Sequence, residues 1–323
     1  MTRIAPPVGV QAMHRRIDGT LTHINADGVG IARLAATSTA DHGALHMAPK
    51  TLALTLYSEA EAKWLLPAAV SLATQFQAHL VAVFPSREVL VYAGAYGGME
   101  AGIATMMNDH RTEEVEAVQA QFAEVTRAQD FASEFRAQEG LADSIEAFVL
   151  GNVRGADLVL AGRCDEDSPG HQARLLEQVI RQSGRPVLVI PKEWTPGPVG
   201  RHVLIGWSDT REAARAAHDA LAVAAPDAAV DILHANGGPE GPGAAYRQDM
   251  AAAFDRLGHE VTLLDRDAPS GDAGRMLTTV AVERGADMIA VGAFGHSRAY
   301  DFVIGAVTHH LLEHADLPVL YSK

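Results

Sequence analysis

Short apolar runs alternate with longer stretches of helical periodicity from residue 51 to the end of the chain. The apolar runs are rich in Val, Leu and Ala, which is typical of strands buried on both faces of a parallel sheet. The stretches between them place apolar residues three and four positions apart, as on one face of an amphipathic helix. This alternation predicts βαβ units and therefore an α/β fold.

The pattern predicts ten strands and eight helices. The predicted strands are 51–56, 79–84, 132–138, 156–162, 186–191, 202–207, 229–235, 260–265, 286–292 and 317–322. The predicted helices are 58–76, 110–129, 141–153, 171–183, 209–224, 243–257, 271–284 and 305–314.

The second half of this order repeats the first. Gly155–Gly162 aligns with Gly285–Gly292, and Pro186-Val187-Leu188 aligns with Pro318-Val319-Leu320. A period this long indicates two whole domains rather than a stack of small repeats. The Pro- and Gly-containing segment 191–200 interrupts both periodicities, so we predict domains at 47–194 and 195–323.

Two segments fall outside the repeat. Residues 1–46 show no sustained period, and we expect them to be a disordered or non-native extension, with Met47 as the natural start in the second case. The segment Pro85–Asp109 has only a short counterpart, 237–243, in the second half. A loop of that length predicts a functional lid, a packing arm or a mobile segment.

Composition narrows the classes of function. A formal net charge of −14 argues against a protein that binds nucleic acid or an anionic membrane. The single cysteine, Cys164, rules out an internal disulfide, and we expect a reducing, cytoplasmic location. Because acidic residues follow it at 165–167, we expect a raised thiol pKa and no nucleophilic role. No apolar stretch reaches the ~20 residues of a membrane-spanning helix.

Three spaced glycines provide the clearest chemical signal. The apolar strand before them runs into Gly292-Ala293-Phe294-Gly295, and nine further residues separate Gly295 from Gly305, where the last helix begins. Glycines at a strand-to-helix turn allow close backbone approach, and the helix start offers N–H groups to an anion. The spacing predicts a phosphate cradle. In the first half only Gly162 remains, and acidic residues that would repel phosphate follow it.

The glycine string and the closing Pro-Val-Leu strand, Pro318-Val319-Leu320, resemble the C-terminal signature of the universal stress protein family. The resemblance covers residues 51–323. It implies two tandem doubly wound domains of the adenine-nucleotide alpha-hydrolase-like type, each with a five-stranded parallel-type sheet. It also implies that the closing strands of the two halves pair, which makes an internal pseudo-dimer, and homodimerisation remains open.

The resemblance also implies which residues form a nucleotide site in the second domain. Nucleotide-binding members carry G-x-x-G, nine residues, then G followed by Ser or Thr, and Gly292, Gly295 and Gly305 match. The chain departs from the pattern at two positions: Ala306 replaces the hydroxyl residue, and Ser208 replaces an aspartate, with Asp209 next to it. The other implied site residues are His296, Arg298, Val307, Thr308 and Ala235.

These residues support three hypotheses for function. The first is a cytoplasmic stress-associated binding or regulatory protein that holds ATP, with magnesium, or another adenine nucleotide in its second domain. The second is a scaffold that binds no nucleotide and acts through protein contacts made by residues 85–109. The third is a slow ATP hydrolase, which is disfavoured because no Walker-type lysine or water-activating acid is found near the glycines. We therefore predict no catalytic residue.

The string His310-Leu311-Leu312-Glu313-His314 matches the H-x-x-E-H pattern of some zinc peptidases. It lies on the last helix of the domain, where histidines near the C-terminus are favoured by the helix dipole. We therefore predict no metal site.

Overall fold

The computed structural model describes residues 23–24, 30–33, 48–86, 98–138, 144–166, 168, 170–235, 244–268, 272–295 and 305–323. Its strands are β1 (His23–Ile24), β2 (Gly30–Arg33), β3 (Thr51–Thr55), β4 (His79–Phe84), β5 (Ser133–Ala137), β6 (Leu158–Gly162), β7 (Val187–Ile190), β8 (His202–Gly206), β9 (Ala229–Ala235), β10 (Glu260–Arg266), β11 (Met288–Gly292) and β12 (Val319–Ser322). Its helices are α1 (Glu59–Phe76), α2 (Gly98–Thr126), α3 (Ile145–Val153), α4 (Gln172–Gln182), α5 (Arg211–Val223), α6 (Ala244–Arg256), α7 (Ala273–Arg284) and α8 (Ala306–His314).

Local sequence explains where several of these helices begin and end. The side chains of Ser58 and Thr210 accept hydrogen bonds from backbone N–H groups in the first turns of α1 and α5. Such capping satisfies N–H groups that have no partner within the helix. Helix α7 ends at Gly285, whose φ of 69° is the left-handed conformation that glycine adopts at low cost. Each signal lies within a few residues of the boundary that the periodicity predicts.

The strands of the described residues form a single sheet in the order β1-β2-β10-β9-β8-β11-β12-β7-β6-β3-β4-β5. Strands β3 to β7 pair in parallel with one another, and so do strands β8 to β12. The predicted α/β fold with two five-stranded parallel units is therefore confirmed. The predicted strands and helices from residue 51 onward are all present, most with boundaries shifted by one to three residues.

Strands β7 and β12 join the two units. They pair antiparallel, with Leu188 opposite Leu320 and Val187 opposite Tyr321. We call this pair the seam. The pairing of closing strands that the family resemblance implies is thus present, and it makes one sheet of the two units.

Helices cover both faces of the sheet. Alternate residues of β3 enter different cores: Leu52 and Leu54 belong to the core that includes α1 and α5, whereas Ala53 belongs to the core that includes α4 and α8, on the other face. Because both faces are covered, central strands such as β6 and β7 are apolar throughout, whereas β5 and β10 also carry charged residues.

Two features differ from the sequence-based expectation. Helix α2 begins at Gly98, so residues 98–109 of the predicted loop are helical, and residues 87–97 lie outside the described part. The Met, Ala and Glu residues after Gly98 favour helix and extend it upstream of the predicted start at 110.

The second difference lies in the segment 1–46, where β1 and β2 form a short antiparallel pair and β2 pairs with the edge strand β10. Backbone hydrogen bonding at an open sheet edge requires no hydrophobic period, so the sequence pattern gave no indication of these strands. That residues 1–46 are a non-native extension stays a prediction. Among the described residues, no helix combines the length and apolar character needed to cross a membrane.

Candidate ligand-binding site

A cavity of about 420 Å³ opens at the carboxyl edge of the sheet in the second half. It lies where β8, β9 and β11 end and where α7 and α8 begin. In doubly wound folds ligands bind at this edge, in the crevice where the strand order reverses. The described residues that line it are Gly206, Trp207, Ser208, Thr210, Leu233, His234, Ala235, Ala273, Leu277, Val291, Gly292, Phe294, Gly295, Gly305, Ala306, Val307 and Thr308. We call this space the ligand cavity.

The ligand cavity brings together most of the predicted site residues. Those that line it are Ser208, Ala235, Gly292, Gly295, Gly305, Ala306, Val307 and Thr308. Asp209 is exposed and is not part of the lining, so the structure gives no support to its replacing the missing aspartate. Its neighbour Ser208, two residues after the end of β8, lines the cavity instead. His296 and Arg298 lie outside the described residues.

The glycine turn, residues 292–295, packs against the start of α5. A Cβ atom added to Gly292 would lie 2.5 Å from the backbone nitrogen of Ala213 and 2.5 Å from the carbonyl carbon of Glu212. One added to Gly295 would lie 2.9 Å from Oε2 of Glu212. These two glycines are therefore required for close packing within the protein, in addition to any approach to a ligand.

Glu212 is a residue that the sequence-based reasoning missed. Its side chain is 5% exposed, and Oε1 accepts a 2.6 Å hydrogen bond from Nε of the exposed Arg211. The carboxylate thus lies next to the glycine turn and is not part of the cavity lining. An acid in the first turn of a helix is favoured by the helix dipole, and that was the only sequence signal for it.

Helix α8 presents its N-terminus to the ligand cavity. Its N-cap is Gly305, which has an extended backbone and no side chain with which to cap the helix. Thr308, in the first turn, is buried, and its hydroxyl also lies near Gly305. The first N–H groups of a helix lack partners within the helix and carry a partial positive charge, so this end favours an anion.

Hydroxyl groups and one histidine supply the polar wall on the strand side. Oγ of Ser208 and Oγ1 of Thr210 are 3.2 Å apart, at the end of β8. At the end of β9, Nδ1 of His234 lies 3.9 Å from Oδ1 of Asp265. Asp265 in turn accepts 2.6 and 2.9 Å hydrogen bonds from the buried guanidinium of Arg247. Arg247 therefore fixes the carboxylate beside the histidine ring.

The corresponding edge of the first half carries larger side chains. The bonds from Leu56 N to Val83 O and from Trp207 N to Leu233 O are equivalent in the two halves. The residues that follow are Tyr57 and Phe84 in the first half and Ser208 and His234 in the second half. Tyr57 is buried at the position of the cavity-lining Ser208 and therefore takes up volume at this edge, whereas Phe84 packs on the other face of the sheet, against Phe135.

A buried carboxylate also lies beside the single glycine of the first half. Oε1 of Glu61 accepts a 2.6 Å hydrogen bond from Gln172, at the start of α4, and Oε2 accepts one of 2.7 Å from the backbone N–H of Tyr57. A Cβ on Gly162 would lie 2.6 Å from Oε1. Burial raises the pKa of Glu61 to about 7, against the lowering effect of these two hydrogen bonds.

Cys164 lies in the same region. Its thiol pKa is raised to about 12, first by burial and then by the negative charges of Glu61 and Asp165. The predicted direction is confirmed, but burial contributes more than the acidic neighbours on which the prediction depended.

The histidines of α8 are engaged in protein contacts. The rings of His310 and His314 have centroids 4.7 Å apart, and His310 packs against Gly274 of α7. Nδ1 of His309 lies 3.0 Å from the Glu313 carboxylate. In the part of the chain that the structure describes, no group of three His, Cys, Asp or Glu side chains has a metal-binding arrangement.

Comparison with known proteins agrees with this architecture. Residues 200–323 match the sequence profile of the Universal stress protein family. A search of the curated proteins by sequence gave no significant match.

Solved structures extend the likeness to both halves. A universal stress protein from Archaeoglobus fulgidus DSM 4304 superposes with a TM-score of 0.62 at 15% identity, covering 84% of this chain and 98% of its own. A protein from Pseudomonas aeruginosa UCBPP-PA14, assigned as a universal stress protein, superposes with a TM-score of 0.52 at 16% identity, covering 86% and 95%. Residues 200–323 therefore match the Universal stress protein family, and the described chain has the fold of universal stress proteins.

Proposed function

We propose that the chain is a cytoplasmic ligand-binding regulatory protein whose second half holds an adenine nucleotide in the ligand cavity. One observation carries the proposal: residues 208, 235, 292, 295 and 305–308, far apart in sequence, line a single cavity at the ligand-binding edge of the sheet. The family resemblance implies one site at these same positions.

The walls of the ligand cavity divide into two chemical regions that suit a nucleotide. The apolar side chains of Ala273, Leu277 and Val291 provide a surface for the base. Helix α8 directs its N-terminus into the same cavity, where a phosphate would be stabilised by backbone N–H groups. Ser208 and Thr210 also line the cavity, and their hydroxyls suit hydrogen bonds to the sugar.

Charge favours a nucleotide whose phosphates are partly neutralised. Among the described lining residues, none is Lys or Arg, and Glu212 lies next to the glycine turn. A magnesium ion bound to the phosphates would reduce this unfavourable electrostatic interaction. We propose that Arg298 and His296, whose sequence positions follow the glycine turn directly, also contact the phosphates.

The first half is proposed to bind no nucleotide. Tyr57 is buried at the position that corresponds to Ser208, and Glu61 places a carboxylate beside Gly162. The two halves would then have different tasks, with ligand binding confined to the second.

A scaffold function is the second candidate, and exposed apolar residues on α2 favour it. Met106 and Met107 are 73% and 50% exposed. Flexible methionine side chains at a surface suit contacts with partner proteins. This function does not depend on the ligand cavity.

Isothermal titration of the full chain with ATP and magnesium, AMP and adenosine tests the proposal. We expect one ligand per chain and loss of binding in Ala306→Trp, which would place a large side chain in the ligand cavity. The matched control is Ala60→Trp, because Ala60 is also exposed in a first helical turn, that of α1. Absence of binding at millimolar ligand, or equal binding by both variants, would refute the nucleotide site and favour the scaffold.

A further inference from the structure

Phe294 occupies the centre of the glycine turn in a backbone conformation that non-glycine residues rarely adopt. Its φ is 60°, in the left-handed region. The only other described non-glycine residue with positive φ is Gln77, which ends α1, where this conformation is common. A bulky residue is held in this region only when its surroundings stabilise it. Phe294 also lines the ligand cavity, so whatever holds its ring affects the site.

The ring of Phe294 is contacted by a cation from the first half. The guanidinium carbon of Arg181, in the last turn of α4, lies 3.7 Å from the ring centroid. This distance is within the range of a cation–π interaction, and the ring is only 8% exposed, which strengthens the attraction. Nζ of Lys323 lies 5.9 Å from the same centroid.

A reciprocal contact runs in the opposite direction across the seam. Arg163 directly follows Gly162 in the first half, and its Nη1 donates a 2.6 Å hydrogen bond to the backbone oxygen of Glu313 in α8. Each half thus has the end of its last helix against the strand-end turn of the other half. In the second half that turn forms a wall of the ligand cavity.

We propose that Arg181 is a positioning residue for the ligand site of the second half: it holds Phe294, and with it the glycine turn, in the conformation that lines the cavity. The inference rests on the proposed function for its ligand. It assigns the first half a role in binding although no nucleotide is proposed to bind there, since α4 supplies the group that fixes the turn.

Three variants of the full chain test the role of Arg181. Arg181→Ala removes the cation, Arg181→Lys keeps a positive charge with weaker stacking, and Arg174→Ala is the control on the same helix, where Arg174 is exposed and paired with Glu146. Titration with ATP and magnesium is expected to show roughly 3- to 30-fold weaker binding for Arg181→Ala. Arg181→Lys should recover part of the affinity, and Arg174→Ala should match the original chain. Equal affinities for the two alanine variants would overturn the proposal.

Hydrogen exchange without ligand separates this inference from the nucleotide assignment. We expect faster exchange of the amides at residues 293–295 in Arg181→Ala than in Arg174→Ala, with similar exchange in β3 and β4. If the original chain binds no nucleotide but this difference is present, the proposed function fails and the positioning role stands. If nucleotide binds but neither affinity nor exchange distinguishes the two variants, the positioning role fails.

Discussion

Ala306 is the first residue of α8 and presents only a methyl group to the ligand cavity. Serine at this position would add a hydroxyl next to the helix N-terminus. One neutral hydrogen bond to a phosphate oxygen is worth about 1 kcal/mol. We therefore expect Ala306→Ser to tighten nucleotide binding by up to about tenfold in titration calorimetry.

The matched control for this change is Ala60→Ser, in the first turn of α1. It alters helix propensity to the same extent but lies in the half that is proposed to bind no nucleotide. If both serine variants, or neither, changed the affinity, the added hydroxyl would not be contacting the ligand.

Gly292 tests whether the glycine turn is constrained by the protein itself. In Gly292→Ala the new methyl group would meet backbone atoms of α5 at 2.5 Å, and these cannot move without shifting the helix. Overpacking of this kind costs about 1–3 kcal/mol, so we expect a lower midpoint of thermal unfolding even without ligand.

Gly151→Ala is the control: it lies within α3, and its added Cβ would meet nothing within 4 Å. That change is expected to raise stability by about 0.5–1 kcal/mol. Equal midpoints for the two variants would contradict the packing argument.

Helix α1 carries Glu61 in its first turn, and the protonation of this carboxyl group makes the stability of the fold depend on pH. Because the folded pKa of Glu61 is about 7, above the ordinary value of 4.5, the folded state binds this proton more tightly than the unfolded state. The stabilisation is complete below pH 4.5 and is lost as the pH rises through 7. The loss amounts to roughly 3 kcal/mol, as an order of magnitude.

Glu61→Gln resembles the protonated form and should remove this dependence. We expect denaturant unfolding to show the original chain losing stability relative to Glu61→Gln between pH 5 and 8. The difference between the two proteins cancels the contributions of other titrating groups. Parallel stability curves over that range would mean that Glu61 is charged in the folded state throughout.

Strands and helices with a clear hydrophobic period could be predicted from the sequence because both faces of the sheet are buried. The hydrophobic period does not predict an element whose formation depends on edge pairing or on helix propensity. Strand β2 forms by backbone pairing at an edge, and α2 begins at Gly98, where the following Met, Glu and Ala residues favour helix. These two elements therefore differ from the prediction.

The candidate site likewise contains residues that the sequence could predict and residues that it could not. Spacing grouped Gly292, Gly295 and Gly305 at a strand-to-helix turn, and the family resemblance added Thr308. Neither could reveal Glu212, Glu61 or the contact between Arg181 and Phe294. Those depend on which helix packs behind which turn, and that is a property of the complete sheet.

At the scale of the whole molecule, the seam joins the two halves into one continuous sheet. Leu188 and Leu320 are directly opposite each other and fully buried in the same core. Each Leu→Ala change is expected to cost about 2–5 kcal/mol. Because the two side chains share neighbours across the seam, we expect the double variant to depart from additivity by about 0.5–3 kcal/mol in denaturant unfolding.

The control cycle pairs Leu320→Ala with Leu80→Ala. Leu80 is in β4, four strands away from β12 in the sheet, so these two changes should be additive. Additivity in both cycles would show that the two halves are energetically independent in spite of the continuous sheet.

Because the two halves joined at the seam belong to one chain, their binding edges can carry different residues. In a symmetric pair of identical chains, any substitution is made twice, so a change that fills one binding edge fills the other as well. Here the equivalent edges belong to one chain, and Tyr57 and Phe84 could replace small or polar residues on one side while Ser208 and His234 stayed on the other. The covalent link also keeps the halves together at any dilution. The fold thereby permits a permanent division of labour that a dissociable pair of identical subunits cannot have.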